Sequence, residues 1–505
     1  MPDGMLTAVK ASVADAVQLL LEKSTMQAHT VSFVVIEPTD RISHERLHAL
    51  VGSSLPRLPR FRSRLVDRPL GVGPPFWAEI EDYDPASQIH RVTLRAPGGE
   101  REFADLIARL SEEPGHHREM LWKAWSIDGL SGGRWALAVR TSPALSERGA
   151  GIPTIWSRLL RSDQHDDRRG DPTPLSSPAV TGDLITSVVG ELLEFQFKGL
   201  WLATETVAGL LGALRRKLSG NHVADQPDSM PLTVSSMSGP LPRNVFNAPL
   251  TDERAVAFAS IRRADLETVS SAFGGDVTNV LVAACTLSLR AWLQRHDSVP
   301  DDPLMMRMPL ALSGAALDVD DDSPVAGKIR IPVQLSDPVE VLTNLHTASE
   351  KMNIERGLTA EKAYFTDDFV HLASLVPSSV SHAGMQIFSR LSLRQRLAPT
   401  SHGSICYVGD EASPSYCAGA RVIGMHTVTP LLDAGGLTIT VTAHGEVMDL
   451  SVCVCPDNVP AVADIATGIV DSLDVLVTEA GKTPRGQGRS VVTEMTSKRR
   501  QARAY

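Results

Sequence analysis

The feature that most constrains this chain is a change of hydrophobic period, repeated on both sides of a long polar stretch. "VSFVVIEP" (31–38) is an apolar run of strand length, and "RISHERLHALV" (41–51) follows with helical spacing and stops before Pro56. "HRVTLRAPG" (90–98) reads as a second strand and "EREFADLIARLSEE" (100–113) as a second helix. "LWKAWSIDGL" and "RWALAVRT" flank "SGG" at 131–133, a hairpin signal, and "IPTIWSRLL" (152–160) reads as a helix. Past the polar stretch the alternation resumes: "AVAFASI" (255–261) is strand-like and "NVLVAACTLSLRAWLQRH" (279–296) helix-like. "LMMRMPLAL" (304–312) and "GKIRIPVQL" (327–335) read as strands. Residues 435–456 form a hairpin turning at His444–Gly445, and a helix covers about 459–480. Strands interleaved with helices imply an α/β fold with helices covering the sheets.

A length of 505 residues exceeds what one core holds and fits two domains. Residues 162–182 and 220–250 are Pro/Ser-rich. Between them, 183–219 repeats Leu193, Phe197, Leu200, Trp201, Val207, Leu211 and Leu214 at spacings of three, four or a few turns and ends on Arg215, Arg216 and Lys217. The division is therefore an N-terminal subdomain (1–161), a linker with a long amphipathic helix (162–250), a C-terminal subdomain (251–481) and a tail (482–505). The helix reads first as one docked on the domain and second as one facing a membrane or lipid body. The tail carries seven Lys/Arg and one Glu without apolar periodicity, a disordered composition whose charge suits peripheral contact with anionic lipid. "DVDDDS" (318–323) lacks the glycine and distal glutamate of a calcium loop and reads as a charged surface loop.

A net charge of −10 and a pI near 5.9 argue against a nucleic-acid partner. Five cysteines without a CxxC pair imply reduced thiols and a cytoplasmic setting. The N-terminus has no cationic region before its short apolar run, and no run approaches the ~20 apolar residues of a membrane span. No metal site or bound cofactor is read from the sequence, and it reads as lacking a G-x-S-x-G, Walker, H-E-x-x-H or Rossmann motif.

Four stretches, in order, carry a resemblance. They are "SVADAVQLLLEKSTMQAHTVSFVVIEP" (12–38), "PRFRSRL" (59–65), "LWKAWSIDGLSGGRWALAV" (121–139) and "GARVIGMHTVTPLLDAGGLTITVTAHG" (419–445). Together they resemble the bacterial wax ester synthase/diacylglycerol acyltransferase family over about residues 6 to 480. The resemblance implies two chloramphenicol-acetyltransferase-like (condensation-domain-like) subdomains with mixed sheets flanked by helices, and a tunnel between them. It also implies long-chain acyl-CoA as co-substrate, with diacylglycerol or a long-chain alcohol as acceptor.

The family signature is His-His-x-x-x-Asp-Gly, its second histidine the general base. An alcohol attacks a thioester only if a base takes its proton, an effect worth roughly 10²–10⁴ in rate. In "TSPALSERGAG" (141–151) the histidines fall on Ser142 and Pro143, the aspartate on Glu147 and the glycine on Arg148. Proline has no proton acceptor on its side chain and no backbone N–H. Glu147 has acceptor oxygens but replaces a residue assigned a structural role. The family's Asn-Asp-Val, a substrate-contacting element, becomes Thr278-Asn279-Val280. His116 and His117 are substitute bases if they reach the tunnel, and otherwise an exposed loop pair. The expected protein is an acyl-CoA:diacylglycerol O-acyltransferase, or wax ester synthase, with weak or no turnover. The alternative is a non-catalytic acyl-CoA- or lipid-binding pseudoenzyme, or a lipid-body-associated partner of an active relative.

Overall fold

The computed structural model describes residues 8–10, 29–58, 60–66, 76–80, 83–113, 120–142, 145, 152–161, 241–296, 298–309, 326–359, 401–411, 415–431 and 435–482. The 183–219 helix, the 318–323 loop and the tail beyond Lys482 lie outside them, as do His116, His117, Pro143, Glu147 and Arg148.

From the N-terminus, β1 (Ala8–Lys10) and β2 (Thr30–Ile36) precede α1 (His44–Ser54), and β3 (Ser63–Val66), β4 (Phe76–Glu79) and β5 (Ile89–Thr93) precede α2 (Glu100–Glu112). The hairpin β6 (Trp122–Leu130) and β7 (Arg134–Thr141) leads to α3 (Ile152–Leu159) and β8 (Leu160–Arg161). The second half holds β9 (Ala255–Arg262), α4 (Arg263–Phe273), α5 (Val277–Arg295), β10 (Leu304–Pro309), β11 (Ala326–Ile331) and α6 (Pro338–Thr359). It ends with β12 (Gly403–Glu411), β13 (Tyr416–Cys417), β14 (Ala420–Val428), β15 (Leu437–His444), β16 (Val447–Val454) and α7 (Val462–Lys482). The strands and helices read from the hydrophobic period in these segments are all present, within a few residues at each end.

Local chemistry explains the boundaries. Ser43 caps α1 by accepting from the Arg46 N–H, and the Glu102 carboxylate reaches back to the Gly99 N–H at the start of α2. The β6–β7 turn places Gly132 and Gly133 at φ 74° and 72°, where a Cβ would be strained.

The strands form one small sheet and two large mixed ones. The seven-stranded sheet runs β5-β6-β7-β2-β14-β13-β8, and the six-stranded sheet β11-β10-β12-β15-β16-β9. Residues after 250 thus supply the whole six-stranded sheet and also lend β13 and β14 to the other one. β14 pairs antiparallel with β2, Thr427 opposite Ser32 and Val428 opposite Val31, while packing across β15 and β16.

The six-stranded sheet has two unlike faces. Leu437, Ile439 and Val441 of β15, with Met448, Leu450 and Val452 of β16, join the apolar core under α4, α5 and α7. α5 is buried nearly all round, which accounts for its run of apolar residues. α7 buries Ile465, Ile469, Leu473, Leu476 and Ala480, one stripe at helical spacing. The opposite face of the sheet carries Thr438, Thr440, Thr442, Asp449 and Ser451, all at most 2% exposed, and it meets the other half of the molecule. All five cysteines are free. No single described helix is long and apolar enough to cross a membrane.

The α5–α7 contact supplies a test of the packing. A Cβ on Gly468 would lie 2.6 Å from Ser288 Oγ, which donates to the Ile465 carbonyl at 2.7 Å. Gly468→Ala is expected to lower unfolding stability by about 1–3 kcal/mol in urea titrations. Adding Ser288→Ala is expected to restore part of the loss.

Candidate active site between the two sheets

β7 carries the chain to the signature position. Its last residue, Thr141, pairs with Thr30, so His29 and Ser142 stand at adjoining strand ends. Ser142 is buried; its N–H bonds to the Leu121 carbonyl at 2.8 Å, and Leu145 N–H returns to the Ser142 carbonyl at 3.0 Å. Of the signature positions, Ser142 is the one the structure describes.

Near the end of β7, Arg140 and Lys123 share the Glu113 carboxylate. Arg140 is buried and donates to the Glu113 carbonyl, and Lys123 donates to the Glu113 carboxylate, both at 2.5 Å. Burial pushes the Glu113 carboxyl up, but Lys123 and Arg140 outweigh it and hold the group below the usual carboxylate range. Burial, then Arg140 and Lys123, push His29 down to about 3. His29 is therefore a neutral imidazole at physiological pH. It is a poor proton acceptor, although it stands one residue before β2, at the strand end adjoining Ser142.

The polar face of the six-stranded sheet forms the rest of the site. Register aligns Val408, Thr442, Asp449 and Ser260 in one row across four strands, and Cys406, Thr440, Ser451 and Phe258 in the next. Asp449 is met by donors from both large sheets, Ser260 Oγ and the Met425 N–H, each at 2.6 Å. His426, on β14, lies with Nε2 4.0 Å from Asp449 Oδ1, and its ring stacks on Phe33 and packs against Phe258. Burial outweighs Asp449 and lowers the His426 pKa. Burial also raises Cys406 and pushes Cys453 up to about 12, so these thiols stay protonated.

Among the described residues, three buried polar atoms here lack a protein hydrogen-bond partner, Thr442 Oγ1, Ser451 Oγ and His426 Nδ1; two more, Ser32 Oγ and Thr427 Oγ1, lie on the other face of the seven-stranded sheet with Val34 and Met425. Each such atom costs about 1–3 kcal/mol when left unsatisfied. The placement of the first three where two sheets meet suits hydroxyl- or amide-bearing guests and water rather than a dry core. Thr278 and Asn279 lie in the first turn of α5, where the Asp276 side chain accepts from the Thr278 N–H and the Asp276 carbonyl from the Asn279 N–H. Asn279 is buried and Thr278 partly so.

A second constellation lies between α1 and β6. His44 Nδ1 is 2.6 Å and His48 Nε2 3.1 Å from Ser126 Oγ, while His44 Nε2 faces Asp128 Oδ2 at 3.5 Å. Residues 44–48 read His-Glu-Arg-Leu-His, an H-E-x-x-H match, which corrects the expectation that the chain lacks this motif. Among the described residues, no group of three or more His, Cys, Asp or Glu side chains is arranged around one point.

Two α/β halves joined by a crossing strand, with a buried polar seam between them, define the chloramphenicol-acetyltransferase-like acyltransferase fold. The chain matches the wax ester synthase/diacylglycerol acyltransferase catalytic domain over residues 12–281 and the WS/DGAT C-terminal domain over 328–477, and it belongs to that family. A Mycobacterium tuberculosis protein provisionally named as a diacylglycerol O-acyltransferase is 27% identical over 456 residues, covering 88% of this chain and 84% of the relative. Another, similarly named, is 23% identical over 465 residues, with 90% and 93% coverage. The solved wax ester synthase/diacylglycerol acyltransferase of Marinobacter aquaeolei VT8 superposes with a TM-score of 0.63 at 19% identity, covering 94% of this chain and all of that one.

The buried histidine beside the signature has a measurable consequence. His29 titrates near 6.5 in an unfolded chain and near 3 when folded, so the unfolded state takes the proton first. Its stabilising contribution is complete above about pH 6.5. It falls by about 1.4 kcal/mol per pH unit as pH drops toward 3. Urea midpoints measured from pH 7.5 to 4.5 are expected to show a shallower slope for His29→Gln than for the wild type.

Proposed function

We propose that this chain is an acyl-CoA:diacylglycerol O-acyltransferase, or wax ester synthase, in its framework, with weak or no turnover of its own. The observation that carries the reading is the pair Ser142-Pro143 at the end of β7, where the family holds its two histidines. The reaction joins an alcohol oxygen to a thioester carbonyl carbon, moves the hydroxyl proton to a base and releases the CoA thiol. Pro143 offers no lone pair for that proton and no N–H for the developing oxyanion.

The rest of the site supports binding more than proton transfer. Hydroxyls on β15 and β16 suit the polar parts of an acyl-CoA or acylglycerol. His29, His426 and His444 are all shifted away from the near-neutral value that serves general base catalysis, each by burial first. Alignment of two substrates alone lowers a barrier by up to about 7–11 kcal/mol, so slow turnover is compatible with the missing base.

The test compares initial rates of triacylglycerol and wax ester formation from long-chain acyl-CoA by the purified protein and by one variant. That variant is Ser142→His, Pro143→His, Glu147→Asp, Arg148→Gly. The restored signature is expected to raise the rate at least 10²-fold, with acyl-CoA affinity little changed. Equal, efficient turnover by both proteins would overturn the reading.

A further inference from the structure

We propose that His44 and His48 form a binding site for a transition-metal dication of the zinc type, with Ser126 as a third ligand and Asp128 behind His44. The proposal is independent of the acyl-transfer reading. The site lies between α1 and β6, on the helix-covered side of the seven-stranded sheet and away from the seam.

Spacing creates the site. Positions 44 and 48 are four apart on α1, so both imidazoles project from one helix face. Ser126 and Asp128 are two apart on β6 and share one face of the strand. Packing of α1 on β6 brings the two faces together. The two ring nitrogens then converge on a single oxygen, at 2.6 and 3.1 Å. A zinc-type ion sits about 2.0–2.1 Å from each imidazole nitrogen, so Ser126 Oγ, which also donates to the His90 carbonyl at 3.3 Å, must turn outward to admit one.

The outer partner is also in place. Asp128 Oδ2 lies 3.5 Å from His44 Nε2, the nitrogen not turned to Ser126. This is the carboxylate–histidine arrangement that fixes ring orientation and strengthens a metal ligand. Asp128 Oδ1 is buried without a hydrogen-bond partner. Side chains of His44 and Asp128 are 16% and 29% exposed, which leaves an entry path. The positive end of α1 opposes a cation at His44, and the Asp128 charge offsets it.

Imidazole donors select zinc, copper, nickel or cobalt over magnesium or calcium. Two nitrogens and one hydroxyl leave a fourth position to solvent. The peptidase chemistry associated with this motif does not follow, because Glu45 is exposed and paired with Arg91 at 2.9 Å instead of facing the ion. The ion would instead tie the start of α1 to β6.

The full-length protein, stripped with a chelator, would be titrated with Co²⁺ under visible absorbance and with Zn²⁺ by calorimetry. One equivalent is expected to bind, with d–d bands of a low-coordinate site and a rise in thermal midpoint. His44→Ala/His48→Ala is expected to abolish that equivalent, and Asp128→Asn to weaken it about 10–100-fold. Circular dichroism of each metal-free variant checks that it is folded, and His44→Gln/His48→Gln serves where the alanine pair is not. No binding by the wild type, or an equivalent that survives in a folded double variant, would overturn the proposal.

Discussion

A carboxylate buried between two sheets is costly unless donors meet it, and Asp449 is where the two large sheets of this molecule meet that condition together. It stands on β16 of the six-stranded sheet, yet one of its donors is the backbone of β14, a strand of the seven-stranded sheet. Ser260 supplies the other from β9. The charge loses several kcal/mol of hydration on burial, and short hydrogen bonds at both oxygens offset that loss only while the sheets hold their relative position. Phe33, Phe258 and His426 pack around the same point from both sheets, so apolar burial and polar satisfaction select one geometry.

That geometry separates the framework of the site from its chemistry. The seam is made by register: threonines and serines on alternate positions of β15 and β16 face inward because the intervening Leu, Ile and Val residues face the helices. A substitution at the end of β7 does not disturb this alternation, since Ser142 remains backbone-bonded to Leu121. The base position can therefore change without the sheets losing their reason to pair, and binding can outlast turnover in such a chain.

Much of this was legible in the sequence, for reasons that differ from element to element. The β6–β7 hairpin announced itself through two glycines between alternating runs, and α5 through an apolar stretch too long for a strand. The family motifs placed Ser142 at the end of an apolar strand, and it is there. The exchange of β13 and β14 was not legible, because strand pairing is a long-range property and β14 has the same period as its sequence neighbours. His29 escaped notice as well. It is one residue before a strand, and only the ladder between β2 and β7 brings it to Ser142. The His44–His48 spacing was present in the letters, but its meaning depends on Ser126 and Asp128, some eighty residues away on β6.

The crossing of β14 also bears on how the chain is made. A ribosome releases β2 nearly four hundred residues before the strand that will lie beside it. Until β14 arrives, the β2 edge and the apolar side chains of Val31 and Phe33 have no partner from the second half. The N-terminal half is thus a nascent sheet with one open side for most of synthesis, which exposes it to mispairing and to chaperones. A fragment cut at the polar stretch after residue 161 would keep that open side permanently, so the two halves are neighbours in sequence but not separable modules.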